Sequence, residues 1–278
     1  MLCVFLPILI EWWELVSEVD RVSYVILVPV LAAILAWRSP RASLPIETRG
    51  ETHPNADWVV IGLLCLSTCL LTLGSVAAIF TFSFAAFPVA IAAWVASLGR
   101  AQWVRYAPSL ILLQLMTPPP LPLFDWVVPT LVKASGASAV MLLWPLDSNA
   151  SWIGSELTYQ DWTLVVAEAC SGSGALLVYW VLAVFLGTLF RLSARSVVFF
   201  LALAVPFTLL VNGVRIALTA IILDILGVPA VTGAGHEILG QVIVILGAGV
   251  FAWLIDRKLG RSQRVVEAER ESIKGGVA

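Results

Sequence analysis

The sequence predicts an all-α polytopic membrane protein, and three observations predict it. Sixty percent of the residues are hydrophobic and only 12% are charged, whereas a soluble domain carries about 25% charge. Mean hydropathy is +0.97. Apolar runs of roughly 15–25 residues recur along the chain, and about 20 such residues cross a bilayer as a helix.

The elements follow in order. The opening MLCVFLPILIEWWE is apolar without a basic start, which fits neither a cleavable signal peptide nor a full span. Spans are expected at residues 22–37, 57–74, 76–98, 106–118, 170–190, 196–215 and 236–255. An eighth apolar stretch, 121–145, follows the breaker TPPPLP and contains Asp125, Pro129 and Lys133. It reads as a tilted span or as a helix along the outer interface, and the TPPPLP break and Lys133 favour the interface, giving seven to eight transmembrane or membrane-embedded helices. Residues 146–168 alternate weakly in polarity and predict a short extracytoplasmic hairpin. Residues 1–258 read as a single integral membrane domain, and 259–278 as a polar cytoplasmic tail, without full order over 261–278. There is no internal repeat.

Lysine and arginine set the expected orientation. Arg38, Arg41 and Arg49 share one loop, Arg100 and Arg105 a second, Arg191 and Arg195 a third. Arg257, Lys258, Arg261, Arg264, Arg270 and Lys274 crowd the tail. With the spans as drawn, 13 of 16 basic residues face one side. That side is expected to be cytoplasmic, in a multi-pass protein of the cell (inner or plasma) membrane. His53 falls in a solvated cytoplasmic linker. Trp12, Trp13, Trp37, Trp126 and Trp152 read as interface anchors.

Composition also excludes. No basic patch with interleaved aromatics marks a nucleic-acid site. Of four cysteines, Cys65 and Cys69 stand one turn apart on an apolar face and read as core filler. No tetrahedral Cys/His set for zinc is present, and no cofactor is expected.

Three polar notches remain: AEACSGSGA around Cys170, VNGVRIA around Arg215 and GAGHEILG around His236. Cys170 lies 21 residues from Arg191, Arg215 lies 20 from Arg195, and His236 lies 21 from Arg257. As helix each interval is about 30 Å, one bilayer thickness. All three residues therefore project to the outer boundary of the membrane. Ser171 to Gly174 can turn the chain and expose amides at a helix start, where a thiolate is favoured. His236 can take the thiol proton and return it to a leaving amine. Arg215 can stabilise an oxyanion or hold a substrate carboxylate. Asn212 either serves the site or hydrogen-bonds across helices. Glu168 and Glu237 either orient His236 or stand in interfacial water.

The ordered trio EACSG (168–172), NGVRI (212–216) and GHEILG (235–240) resembles the exosortase/archaeosortase family of membrane transpeptidases. So do SYVILVPVLAAILAW (23–37) and the proline-rich break near 118–122. The resemblance extends over roughly residues 20–258. It implies a nucleophile at Cys170 with Arg215 and His236 as its partners, and no metal. It implies membrane-anchored protein substrates whose C-terminal sorting signal joins a Pro-Glu-Pro-type motif, a membrane helix and a basic cluster. Cleavage would occur at the outer face, followed by transfer to an acceptor. Two other readings stay open: a small-solute transporter, and a non-catalytic component of polysaccharide export. The transporter reading calls for ionisable groups at the bilayer midplane and related halves. The scaffold reading tolerates loss of Cys170. The sequence leaves the oligomeric state open.

Overall fold

A computed structural model describes residues 2–18, 24–38, 54–117, 121–167 and 170–275. Among these, the elements run α1 (Leu2–Glu18), α2 (Leu27–Arg38), α3 (Pro54–Ala77), α4 (Phe80–Ser97), α5 (Arg100–Gln114) and α6 (Leu121–Leu143). Three strands follow, β1 (Ser151–Ile153), β2 (Glu156–Tyr159) and β3 (Trp162–Val165), then α7 (Ser173–Leu189), α8 (Ala194–Leu226) and α9 (Ala234–Gly275). Five of these helices contain stretches long and apolar enough to cross a membrane, and Tyr24–Arg38 and Ser173–Leu189 are shorter apolar helices. The chain is an all-α polytopic membrane protein. It divides into two compact units, Met1–Pro129 and Thr130–Ala278.

In the first unit, α3 and α4 meet through small residues. Lipid offers helices no hydrophobic drive to associate, so close backbone approach supplies the attraction. The Ser67 hydroxyl donates to the Ala86 carbonyl at 2.8 Å. A β-carbon on Gly74 would run into Ser83. Ala86 and Ala90 of α4 pack on Phe5 of α1, while Ala92 and Val95 pack on Leu110 of α5. The α4–α5 turn is tighter than expected. The Gly99 carbonyl already accepts from the Gln102 and Trp103 amides, so α5 starts at Arg100. Arg100 and Arg105 thus lie in a helix and not in a loop, because arginine is a good helix former. Cys65 and Cys69 are exposed on α3 and fill no core. His53 lies outside the described residues.

Helix α6 runs from the first unit into the second, and its stretch Trp126–Leu143 is long and apolar enough to cross a membrane. The expected hairpin is a three-stranded antiparallel meander in the order β1-β2-β3. Trp152, Leu157 and Leu164 stand in one cross-strand row. The sheet is seated at Gly136 of α6, where a β-carbon would collide with the Trp152 indole. The Asp147 carboxylate holds its loop by accepting from the Asn149 and Gln160 amides, both at 2.9 Å.

Helices α7, α8 and α9 pack together around aromatic rings. Tyr179 meets Phe207 edge-on at 5.1 Å and Phe251 at 5.4 Å between centroids. Ser193 caps α8 by accepting from the Ser196 amide. The helix then continues unbroken past Arg215 to Leu226. The expected span ends at 215, so this is a correction. Thirty-three residues rise about 50 Å, well over the roughly 30 Å of a bilayer core. Nothing after Arg215 breaks a helix until Gly227, where φ is 76°. After a short 3-10 turn, Val228–Val231, α9 begins at Ala234 and runs on to Gly275 through the tail expected to lack full order. The Ala, Glu, Arg and Lys of that tail are good helix formers.

Candidate active site

Cys170 lies in the turn that opens α7. Its amide donates to the Ala167 carbonyl at 2.8 Å. Two residues on, Gly172 takes the left-handed conformation (φ 81°) that starts the helix. L-residues with a side chain pay about 1–2 kcal/mol to adopt it, which explains glycine here. Ser171 is fully buried and turned inward: its hydroxyl donates to the Ser173 hydroxyl at 3.0 Å and accepts from the Ser173 amide. It braces the turn.

That partner is His236, in the first turn of α9. Cys170 Sγ stands 3.6 Å from His236 Nε2 across 66 residues of chain. Arg215, in the second half of α8, brings Nη2 to 3.4 Å from the same nitrogen. A guanidinium can only donate, so Nε2 is the acceptor in this pair and the ring proton belongs on Nδ1. One lone pair therefore faces two donors, the thiol and the guanidinium.

Arg215 reaches this point because α9 has no side chain in its way. A β-carbon on Gly240 would sit 2.7 Å from Nη2 and 2.8 Å from Cζ, so the guanidinium lies flat on the helix backbone there. Gly240 is one turn beyond His236 and shares its face. Further along α8, Thr219 donates to the Arg215 carbonyl at 2.9 Å. Arg215 Nε and His236 Nδ1 are both buried and have no hydrogen-bond partner among the described residues. An unmet buried polar group costs about 1–3 kcal/mol.

The remaining sequence-derived residues divide. Asn212 Nδ2 donates to the Cys170 carbonyl at 2.7 Å. Glu237 is exposed on the first turn of α9 and makes no hydrogen bond to the other groups. Glu168 lies outside the described residues. Sequence reasoning left out Gly240, although the glycine four residues after His236 was visible as the end of GHEILG. Among the described residues, no group of three or more His, Cys, Asp or Glu side chains is placed to hold a metal ion.

Fold and site together define a polytopic membrane protein with a Cys–His–Arg cluster drawn from the turn before α7 and from helices α8 and α9. A family model described as transmembrane exosortase (Exosortase_EpsH) matches residues 12–253. The chain belongs to the transmembrane exosortase family. No curated protein and no solved structure matches it.

Proposed function

We propose that the chain is a membrane cysteine transpeptidase or protease acting on membrane-anchored proteins with C-terminal sorting signals. The signal is a Pro-Glu-Pro-type motif followed by a membrane helix and a basic tail. The observation that carries this reading is the shared Nε2 of His236, 3.6 Å from the Cys170 thiol and 3.4 Å from the Arg215 guanidinium. Family membership supports it independently.

The chemistry follows from that single nitrogen. The thiol proton moves to Nε2 and the thiolate attacks the substrate carbonyl carbon, forming a C–S bond. Protonated Nε2 has no lone pair left for Arg215. The guanidinium is released at the moment negative charge develops on the carbonyl oxygen, and it turns to that oxygen. Collapse breaks the C–N bond, and the leaving amine takes the proton from Nε2. A thioester remains on Cys170. An acceptor nucleophile then gives its proton to Nε2, attacks the thioester and restores the thiol.

The basic residues support an orientation with the site at the extracytoplasmic face, the segment 259–278 in the cytoplasm, and residues 1–258 embedded as one membrane domain. A substrate helix lying in the bilayer then presents its motif at the depth of Cys170.

The test is trapping. Candidate membrane-tailed proteins are co-expressed with the chain, and Cys170 is searched for a hydroxylamine-sensitive thioester adduct. The adduct and the shortened product are expected with the parent chain and absent with Cys170→Ala. Continued processing by Cys170→Ala would remove the nucleophile and the proposal with it.

A further inference from the structure

Asn212 is only 4% exposed, in the middle of a membrane-crossing helix. A buried amide is costly there unless its donors are used. Polar residues in such helices commonly join one helix to another. Asn212 does something different. Its Nδ2 donates, at 2.7 Å, to the backbone carbonyl of Cys170, 42 residues away in the turn before α7. The same side chain also supports the far side of that turn. A β-carbon on Gly172 would stand 3.1 Å from both Cβ and Cγ of Asn212. One side chain therefore contacts residue 170 and backs residue 172, with the nucleophile's turn between.

Asn212 is also linked to the other half of the site. Arg215 lies three residues further on α8, on the same face. Next to Asn212, Gly213 backs onto α6, where a β-carbon would come 2.7 Å from Ser138 Cβ. That close approach fixes how α8 can be rotated. The face of α8 thus sets the Cys170 backbone and the guanidinium in one frame.

We infer that Asn212 is a positioning residue that ties the nucleophile's turn to α8, so that the Cys170 thiol meets His236. It touches neither substrate nor reacting atoms; it acts through the Cys170 carbonyl. This rests on the Cys170–His236 pair proposed above, but on no particular substrate.

The experiment reads the thiol alone. Cys3, Cys65 and Cys69 are replaced by Ser in the full chain, leaving Cys170 as the only thiol. The rate of alkylation by N-ethylmaleimide is followed from about pH 6 to about pH 10, a range spanning an ordinary thiol's ionisation. The variants compared are Asn212→Ala, Asn212→Leu, which keeps bulk without the donor, and His236→Ala. Loss of one hydrogen bond's worth of positioning corresponds to about tenfold in rate near neutral pH. Both Asn212 variants are expected to slow by that amount, to match His236→Ala, and to rejoin the parent curve at alkaline pH. A purely structural role would lower the melting temperature and leave the pH profile of the folded protein unchanged, which would overturn the inference. If His236→Ala itself alkylates like the parent, there is no pair to position and the inference also falls. In that case the loss is traced to the Cys–His reading, and in the former to Asn212.

Discussion

At the scale of single residues, the site turns on the Nε2 of His236 and the missing side chain of Gly240. A guanidinium in an apolar helix is expensive and needs a specific place to lie. Arg215 finds it on bare α9 backbone, with Nη2 3.4 Å from Nε2. Gly240→Ala separates this role from helix stability, because alanine in a helix is favoured over glycine by about 1 kcal/mol. The variant is expected to melt no lower than the parent and still lose activity. The loss should approach the factor of about 10²–10³ that follows removal of an oxyanion-stabilising group. Processing rate and melting temperature, measured together, check this. A variant that is equally stable and fully active would show that the guanidinium does not need this seat.

At the scale of elements, the turn before α7 and the length of α8 matter most. The start of α7 depends on a left-handed Gly172 pressed against Asn212. Gly172→Ala adds conformational strain of about 1–2 kcal/mol and a β-carbon where there is little room. It is expected to lower the melting temperature and to displace Cys170, so that processing falls more than stability does. Equal stability and equal processing would mean that the turn tolerates a side chain. Helix α8 carries Asn212 and Arg215 one turn apart, and its 33 residues extend three turns past the arginine. That extension was hidden in the sequence for a physical reason. A charge in an apolar run reads as the edge of a membrane, and Arg215 instead lies inside a packed pair of helices. The start of α5 was hidden in the same way, since Arg100 and Arg105 read as loop but suit a helix. Cys170, Arg215 and His236 themselves were legible, because each breaks an apolar run at the same distance from a basic marker. Gly240 was not singled out, because the absence of a side chain signals nothing until its neighbour is known. Trp12 and Trp152 read as interface anchors, yet Trp12 is buried and Trp152 plugs the face of α6 at Gly136.

At the scale of the whole molecule, the fold class was legible from composition and run length, and the family model covers most of the chain. Two helices and the turn before a third contribute the groups of the site, and lipid is the solvent that makes such groups costly. Such groups persist where they meet one another, as sulfur, imidazole and guanidinium do here. The account requires the meeting point to lie at the outer boundary of the bilayer, where a membrane-tailed substrate presents its motif. Labelling of Cys170 in intact cells by a membrane-impermeant maleimide, with the other three cysteines replaced, tests this most directly. The account predicts modification from outside, slowed in His236→Ala. Modification only by a permeant reagent, or only after the cytoplasmic face is opened, would contradict it.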